Sequence, residues 1–308
     1  MTAISRTTDT AERRAHLRLV ESGSPATFRR GDRPRSRQEL LERLQLFAAL
    51  RARPPVFAYW SAALIHGLPF LTPPPSTIHV VTTGAYGSAG RGVVSSPRPV
   101  EMQVERRHGL LVTSAAQTVA DLAGRTSFEE GVVVADHVLT SGPFGDQTPL
   151  TARIEIMAAA ERIVDAGERS RALAVARFAD GRAGSPLESI SRATMALAGA
   201  PAPELQFAVH DLDGQFARVA FGWPTLGLAG EVDGAERLLH PVFHRSRDAQ
   251  DRLAARTQRQ RRIEAAGLRI IRWRRETGRR VDRMRELLVS EGMPLDPVSR
   301  RAELGLDA

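Results

Sequence analysis

The sequence predicts an α/β protein, α+β in its overall arrangement, and three observations lead to this class. Hydrophobic residues recur at helical spacing in several stretches, β-branched runs between glycine and proline residues indicate strands, and 42% of the residues are apolar. Helical and strand patterns occur in both halves of the chain. We therefore expect a small sheet with helices in the N-terminal half and a mixed sheet flanked by helices in the C-terminal half.

The N-terminal half begins with a polar stretch and continues with a series of regular elements. Residues 1–35 are arginine-rich and aperiodic, which predicts a disordered lead-in. Ser36, with Glu39 three residues later, has capping-box spacing and predicts a helix to about residue 50. A short helix over 58–66 is expected to end at Gly67. The other elements expected here are antiparallel strands over 77–82, 100–106 and 110–112, and helices over 114–123, 127–139, 151–160 and 168–179.

The C-terminal half is predicted to form a separate domain. The stretch Asp180–Gly184 interrupts the periodicity and indicates a boundary between regions 36–180 and 185–308. Ser185 and Glu188 then form a second capping box. The elements expected after the boundary are a helix over 185–199, strands over 205–210, 216–223, 227–233 and 268–273, and helices over 245–266 and 277–290.

The composition excludes several kinds of chemistry. All 43 basic residues are arginines, there is no cysteine, and the formal net charge is +8. The chain therefore has no Schiff-base or P-loop lysine, no cysteine nucleophile, no disulfide and no thiolate zinc site. No run approaches the roughly 20 apolar residues of a membrane span, and no signal peptide is visible. We therefore expect a cytoplasmic protein with no membrane partner.

A series of motifs between residues 185 and 275 carries a family resemblance. They are Ser185-Pro186-Leu187-Glu188-Ser189, Val219-Ala220-Phe221-Gly222-Trp223, Glu231-Val232-Asp233-Gly234, Arg259-Gln260-Arg261-Arg262 and Gly267-Leu268-Arg269-Ile270-Ile271-Arg272-Trp273. In this order they resemble a bacterial domain family of unknown function that is related to the very-short-patch-repair endonucleases. The resemblance implies a restriction-endonuclease-like fold, in which carboxylates hold Mg²⁺ for the hydrolysis of DNA.

Two segments in the N-terminal half, residues 61–69 and 112–123, carry a second resemblance. They are similar to a region of AbiEi-type antitoxins that is often fused to the C-terminal domain family. This similarity implies a toxin–antitoxin-type regulator or partner-binding protein, whose partner would be a cognate toxin or another protein. The winged-helix pattern that usually precedes this region is missing here, which argues against a simple sequence-specific repressor.

The nuclease resemblance implies a site at Glu188, Glu231 and Asp233. The last two are two residues apart on a strand and are expected to project to one face, with Glu188 approaching from the packed helix. Ala220 stands where the family has an aspartate, and its methyl group cannot bind metal. We therefore expect weak binding of Mg²⁺ by Glu231 and Asp233, and a degenerate, inactive nuclease. An active Mg²⁺-dependent endodeoxyribonuclease is an alternative, and purely structural roles for the three acids are another.

The positive charge is concentrated in one segment. Residues 245–285 contain 15 arginines and five acidic residues. Helical spacing places several guanidiniums on one face, where they can bind phosphate, and Arg272 with Trp273 could add a stacking surface. The arginines of this face are Arg252, Arg256, Arg259 and Arg262. The segment thus predicts binding of a nucleic acid, with DNA favoured, and the alternative interpretation is a solvated arginine-rich face.

Overall fold

The computed structural model describes residues 36–82, 87–88, 92–97, 101–142, 146–211, 214–233 and 249–306, with the backbone alone for 87, 88 and 249–253. The lead-in predicted over 1–35 lies outside these ranges. Within them, eleven helices and two sheets confirm the α/β class. None of the helices in these ranges is both long enough and apolar enough to cross a bilayer. The chain divides into two compact units, one within 1–66 and 74–113 and the other within 67–73 and 114–308.

In its described residues, the first unit contains two helices and a six-stranded sheet. The helices are α1 (Arg37–Ala49) and α2 (Tyr59–His66), and both confirm the prediction. The Ser36 hydroxyl accepts a hydrogen bond from the Glu39 amide at 3.2 Å, as the capping box requires. The strands are β1 (Val56–Phe57), β2 (Ile78–Thr82), β3 (Gly87–Ser88), β4 (Val93–Pro97), β5 (Val104–Arg107) and β6 (Leu110–Thr113).

The sheet of the first unit is mixed, and the prediction of an antiparallel sheet was wrong. Its strand order is β3-β4-β2-β1-β6-β5. Strand β1 pairs in parallel with β6, and β2 pairs in parallel with β4. The sequence prediction omitted β1 and β4, and these are the strands that make the two parallel pairs.

The second unit begins with four helices that confirm the predicted ones and continues with α/β structure. The four are α3 (Ala115–Ala123), α4 (Phe128–Leu139), α5 (Arg153–Glu161) and α6 (Ala166–Phe178). They are followed by α7 (Pro186–Ala198), β7 (Glu204–Asp211), β8 (Gly214–Trp223), β9 (Leu228–Val232), α8 (Ala249–Ala265), β10 (Arg269–Trp273), α9 (Arg275–Gly278), α10 (Val281–Ser290) and α11 (Pro297–Leu304). The single helix predicted over 277–290 is thus two helices, and α11 was not predicted.

The break at Asp180–Gly184 does not separate the two compact units, which differs from the predicted domain boundary. Helices α3–α6 belong to the same unit as residues 186–306. The physical reason is a buried ion pair between Asp136 on α4 and Arg192 on α7, in which Arg192 Nη2 lies 2.8 Å from both carboxylate oxygens. Arg192 also donates to the Phe178 carbonyl, so the two sides of the break are joined.

The second unit is built around a four-stranded sheet of order β10-β9-β8-β7 with helices on both faces. Strands β9 and β10 are parallel, and the other neighbours are antiparallel. On one face Trp273 packs in a core cluster with Met284 of α10 and Met195 of α7. On the other face Ala229 packs with Ile263 of α8. Side chains that alternate along β9 and β10 therefore face either the core of α7 and α10 or helix α8.

Candidate functional site

Glu231, the central residue of the predicted site, lies between two arginines. It is paired with Arg272 in the register of β9 and β10, so both side chains are on the sheet face that α8 covers. Arg259 of α8 comes within 2.6 Å of its Oε1, and Arg272 Nε donates to its Oε2 at 3.1 Å. The Glu231 side chain is 5% exposed, against 15% for Arg259 and 17% for Arg272. Two guanidiniums thus compensate one buried carboxylate.

Asp233 is bound by the same helix, which confirms that it and Glu231 project to one face. Arg256 Nη2 donates to Asp233 Oδ1 at 2.9 Å, and both side chains are about one third exposed, at 37% and 35%. The Asp233 amide donates to the Trp273 carbonyl at 2.8 Å and so prolongs the pairing of β9 with β10. An ion pair with this exposure contributes little to stability.

The Glu188 side chain forms hydrogen bonds at the start of α7 and is not grouped with Glu231 and Asp233. The Glu188 amide donates to the Ser185 hydroxyl at 3.2 Å, which confirms Ser185 as the N-cap. Its carboxylate accepts hydrogen bonds from the Gly184 amide at 2.9 Å and from the Gln206 side chain at 2.8 Å. Burial raises the pKa of Glu188, although these donors act in the opposite direction.

The described residues do not fit the Mg²⁺ site that the resemblance implies. Over 36–233 and 249–306, apart from the gaps given above, no group of three histidine, cysteine, aspartate or glutamate side chains is placed to hold a metal ion. The Glu231 charge is already neutralised by two arginines, and the Glu188 carboxylate is hydrogen-bonded to a backbone amide and a glutamine side chain. A cation would have to displace these partners, because Mg²⁺ requires free oxygen ligands.

Ala220 belongs to the apolar core cluster of the sheet and is 7% exposed. We therefore expect Ala220→Asp to lower the free energy of unfolding by about 1–3 kcal/mol, the cost of a buried polar group without a partner. Urea unfolding measures the change in the free energy of unfolding, and repeating it in excess Mg²⁺ shows whether the new carboxylate binds the metal. Ala217→Asp, which buries a carboxyl in the core on the α8 face, is the matched control. Stabilisation of Ala220→Asp alone by Mg²⁺ would contradict this expectation.

The arginines predicted to bind phosphate are mostly occupied by partners within the chain. Arg259 and Arg272 hold Glu231, and Arg256 holds Asp233. Arg262 forms an ion pair with Asp211. For Arg252 the backbone alone is described. The face of α8 that carries Arg256 and Arg259 therefore contacts the sheet, and their guanidiniums pair with carboxylates of the chain.

Trp273 cannot act as the predicted stacking surface. It is 3% exposed, and its ring stacks on Phe221 with the centroids 5.6 Å apart. Its indole N–H donates to the Ser191 hydroxyl at 2.9 Å. The physical reason is that helices cover both faces of β10, so the alternate residues of this strand are enclosed.

Other arginines of the basic segment, which the helical spacing of α8 did not indicate, remain exposed after β10. They are Arg274, Arg275, Arg279, Arg280, Arg283 and Arg285. The sequence signal for them is the density of arginine, because they lie on α9 and α10 or beside the ends of these helices and follow no single period. Together with Arg261, Arg262 and Arg269, they are the described arginines of the basic segment that are exposed to solvent.

The comparisons with known proteins give one group of relatives. The chain is 31% identical over 202 residues to an uncharacterized protein of Mycobacterium tuberculosis, found in strain H37Rv and in strain CDC 1551. The alignment covers 64% of this chain and 69% of the mycobacterial protein. No family model and no solved structure matches the chain.

Proposed function

The chain belongs to the family of the uncharacterized Mycobacterium tuberculosis protein Rv2248, and we propose that it binds DNA through arginines exposed after strand β10. The observation that carries this proposal is the composition of residues 274–285. This segment contains six arginines and two acidic residues, Glu276 and Asp282, and all six arginines are exposed. We call it the arginine segment.

Most of the guanidiniums in the arginine segment have no partner in the described part of the chain. Arg280 forms an ion pair with Asp282, and Arg279 donates to the Leu71 carbonyl at 3.2 Å. The guanidiniums of the other four, Arg274, Arg275, Arg283 and Arg285, make no hydrogen bond or ion pair with any described residue. A guanidinium can donate two parallel hydrogen bonds to phosphate oxygens, so these four side chains suit a phosphate backbone.

The arginine segment is supported by buried anchors. Trp273 precedes it in the core, and Met284 within it is fully buried. Gly278 packs so closely that an added Cβ would lie 2.5 Å from the Ser191 hydroxyl oxygen. Arginines on a backbone held in this way bind at a lower cost in conformational entropy than arginines on a free tail.

The experiment is a salt series of duplex DNA binding by the whole chain. The logarithm of the association constant falls with the logarithm of salt concentration by about 0.9 for each phosphate neutralised. We expect replacement of Arg274 and Arg275 together by alanine to reduce that slope by about 2, measured by fluorescence anisotropy of a labelled duplex.

A matched control is the pair Arg53→Ala and Arg106→Ala, which removes the same charge from exposed arginines of the first unit. This control is expected to leave the slope unchanged. Equal slopes for both double variants, or no binding of the parent chain at low salt, would refute the proposal. Far-UV circular dichroism of each variant shows whether the fold is retained.

A further inference from the structure

A cavity of about 230 Å³ lies within the second unit, at the meeting of α6, α7 and α11. Four of its lining residues are arginines, namely Arg177, Arg182, Arg192 and Arg300. None of its described lining residues belongs to the arginine segment or to the predicted site of Glu188, Glu231 and Asp233. It is therefore a separate place in the fold where positive charge gathers.

Arg177 and Arg300 are the guanidiniums of this cavity with unused donors. Arg177 is exposed, and its guanidinium forms no hydrogen bond or ion pair with a described residue. It lies beside the end of α11, where a Cβ added at Gly305 would be 3.9 Å from its Nη1. Arg300 pairs with Glu303 through Nη1 at 2.6 Å, and its Nη2 forms no hydrogen bond or ion pair with a described residue. Most of the five donors of each side chain are thus available.

Arg182 and Arg192 are already paired and form the fixed part of the wall. Arg182 binds Asp180, the carboxylate among the described lining residues, at 2.7 Å. Burial would raise the pKa of Asp180, but the hydrogen bonds and charge of Arg182 outweigh it and hold the pKa below its ordinary value. Arg192 is held by Asp136 and lies over the Phe178 ring, 4.0 Å from its centroid. Each of these acids is therefore neutralised, and Arg177 contributes an uncompensated positive charge.

The rest of the cavity wall is apolar. It includes Phe178, Met195, Pro201 and Leu205. Pockets for drug-sized ligands occupy roughly 300–1,000 Å³, so about 230 Å³ suits a smaller molecule. The combination of apolar walls with guanidiniums from three helices favours a compact ligand that has one anionic end and one apolar end.

We propose that this cavity binds a small phosphate monoester. Guanidiniums on separate helices approach from different directions, which suits the several oxygens of a phosphate better than the two coplanar oxygens of a carboxylate. Arg177 and Arg300 donate to the phosphate, and the organic group lies against Phe178 and Met195. The ligand is distinct from the DNA backbone, because the cavity admits one small molecule.

Phenyl phosphate is the probe, and benzoate tests whether a carboxylate on the same ring suffices. Calorimetric titration of the whole chain is expected to show binding of phenyl phosphate that is stronger than that of benzoate or inorganic phosphate. Arg177→Ala and Arg300→Gln are each expected to weaken binding by about tenfold or more, because each removes a charged hydrogen bond.

The matched control is Arg53→Ala, an exposed arginine of the first unit that is expected to leave phenyl phosphate binding unchanged. The variant with Arg274 and Arg275 replaced by alanine is also expected to bind the probe normally, which separates this cavity from the arginine segment. Absence of binding at millimolar phenyl phosphate, equal or tighter binding of benzoate, or an unchanged affinity in both Arg177→Ala and Arg300→Gln would overturn the proposal. Since Arg177 is exposed, its replacement tests the site without disturbing the core.

Discussion

Asp136→Asn is expected to lower the free energy of unfolding by about 3–5 kcal/mol, because it leaves the Arg192 guanidinium buried without a counter-ion. The side chains of this pair are 1% and 7% exposed, and water cannot replace the lost carboxylate oxygens. Asp136 also accepts a hydrogen bond from the Asp180 amide at 2.7 Å, so the substitution weakens the connection across residues 180–184 as well. Urea unfolding, followed by circular dichroism and tryptophan fluorescence, measures the change.

The control for this substitution is Asp282→Asn, which removes an aspartate from an ion pair with Arg280 whose side chains are more than half exposed. Solvent screens such a pair, and the midpoint of unfolding is expected to stay in place. Replacing Asp136 by asparagine and Arg192 by methionine together is expected to recover part of the loss, because no buried charge then remains. Equal midpoints for Asp136→Asn and Asp282→Asn would show that the buried pair does not hold the unit together.

The same ion pair explains why the domain boundary could not be predicted from the sequence. A polar, glycine-containing stretch such as 180–184 has the local composition of a linker. Its role depends on whether α4 packs against α7, and Asp136 and Arg192 are 56 residues apart. Local composition contains no information about such a contact.

Helices with local signals were predictable, and features that depend on packing were not. The hydroxyls of Ser36 and Ser185 accept hydrogen bonds from the backbone amides three positions later. Because this contact is local, the sequence alone indicates where these two helices start. Strand β1, with two residues, is too short to show a period, and its place in the sheet comes from distant partners.

In the candidate site, too, local geometry was predictable and contacts between distant elements were not. The shared face of Glu231 and Asp233 follows from the two-residue repeat of a strand and was predictable. The pairing of Glu231 with Arg259 requires α8 to lie across the sheet, and the burial of Trp273 requires helices on both of its faces. A family motif can therefore be present in the sequence while its side chains are bound to one another in the fold.

Glu231→Gln is expected to lower the free energy of unfolding by about 3–5 kcal/mol, because Arg259 and Arg272 are mostly buried and lose their shared negative charge. Asp233→Asn is the matched control, since its partner Arg256 is about one third exposed, and a change of at most about 1 kcal/mol is expected. Urea unfolding of both variants beside the parent chain gives the comparison.

The sign of the Glu231→Gln effect separates two roles for this carboxylate. An acid kept among other acids to bind a metal is repelled by its neighbours when the metal is absent, so its neutralisation stabilises the fold. An acid that holds two buried arginines does the opposite, because neutralisation leaves both cations without a partner. The distances of 2.6 Å to Arg259 and 3.1 Å to Arg272 support the second role. A Glu231→Gln chain as stable as the parent, or more stable, would refute it and return the residue to the group of candidate metal ligands.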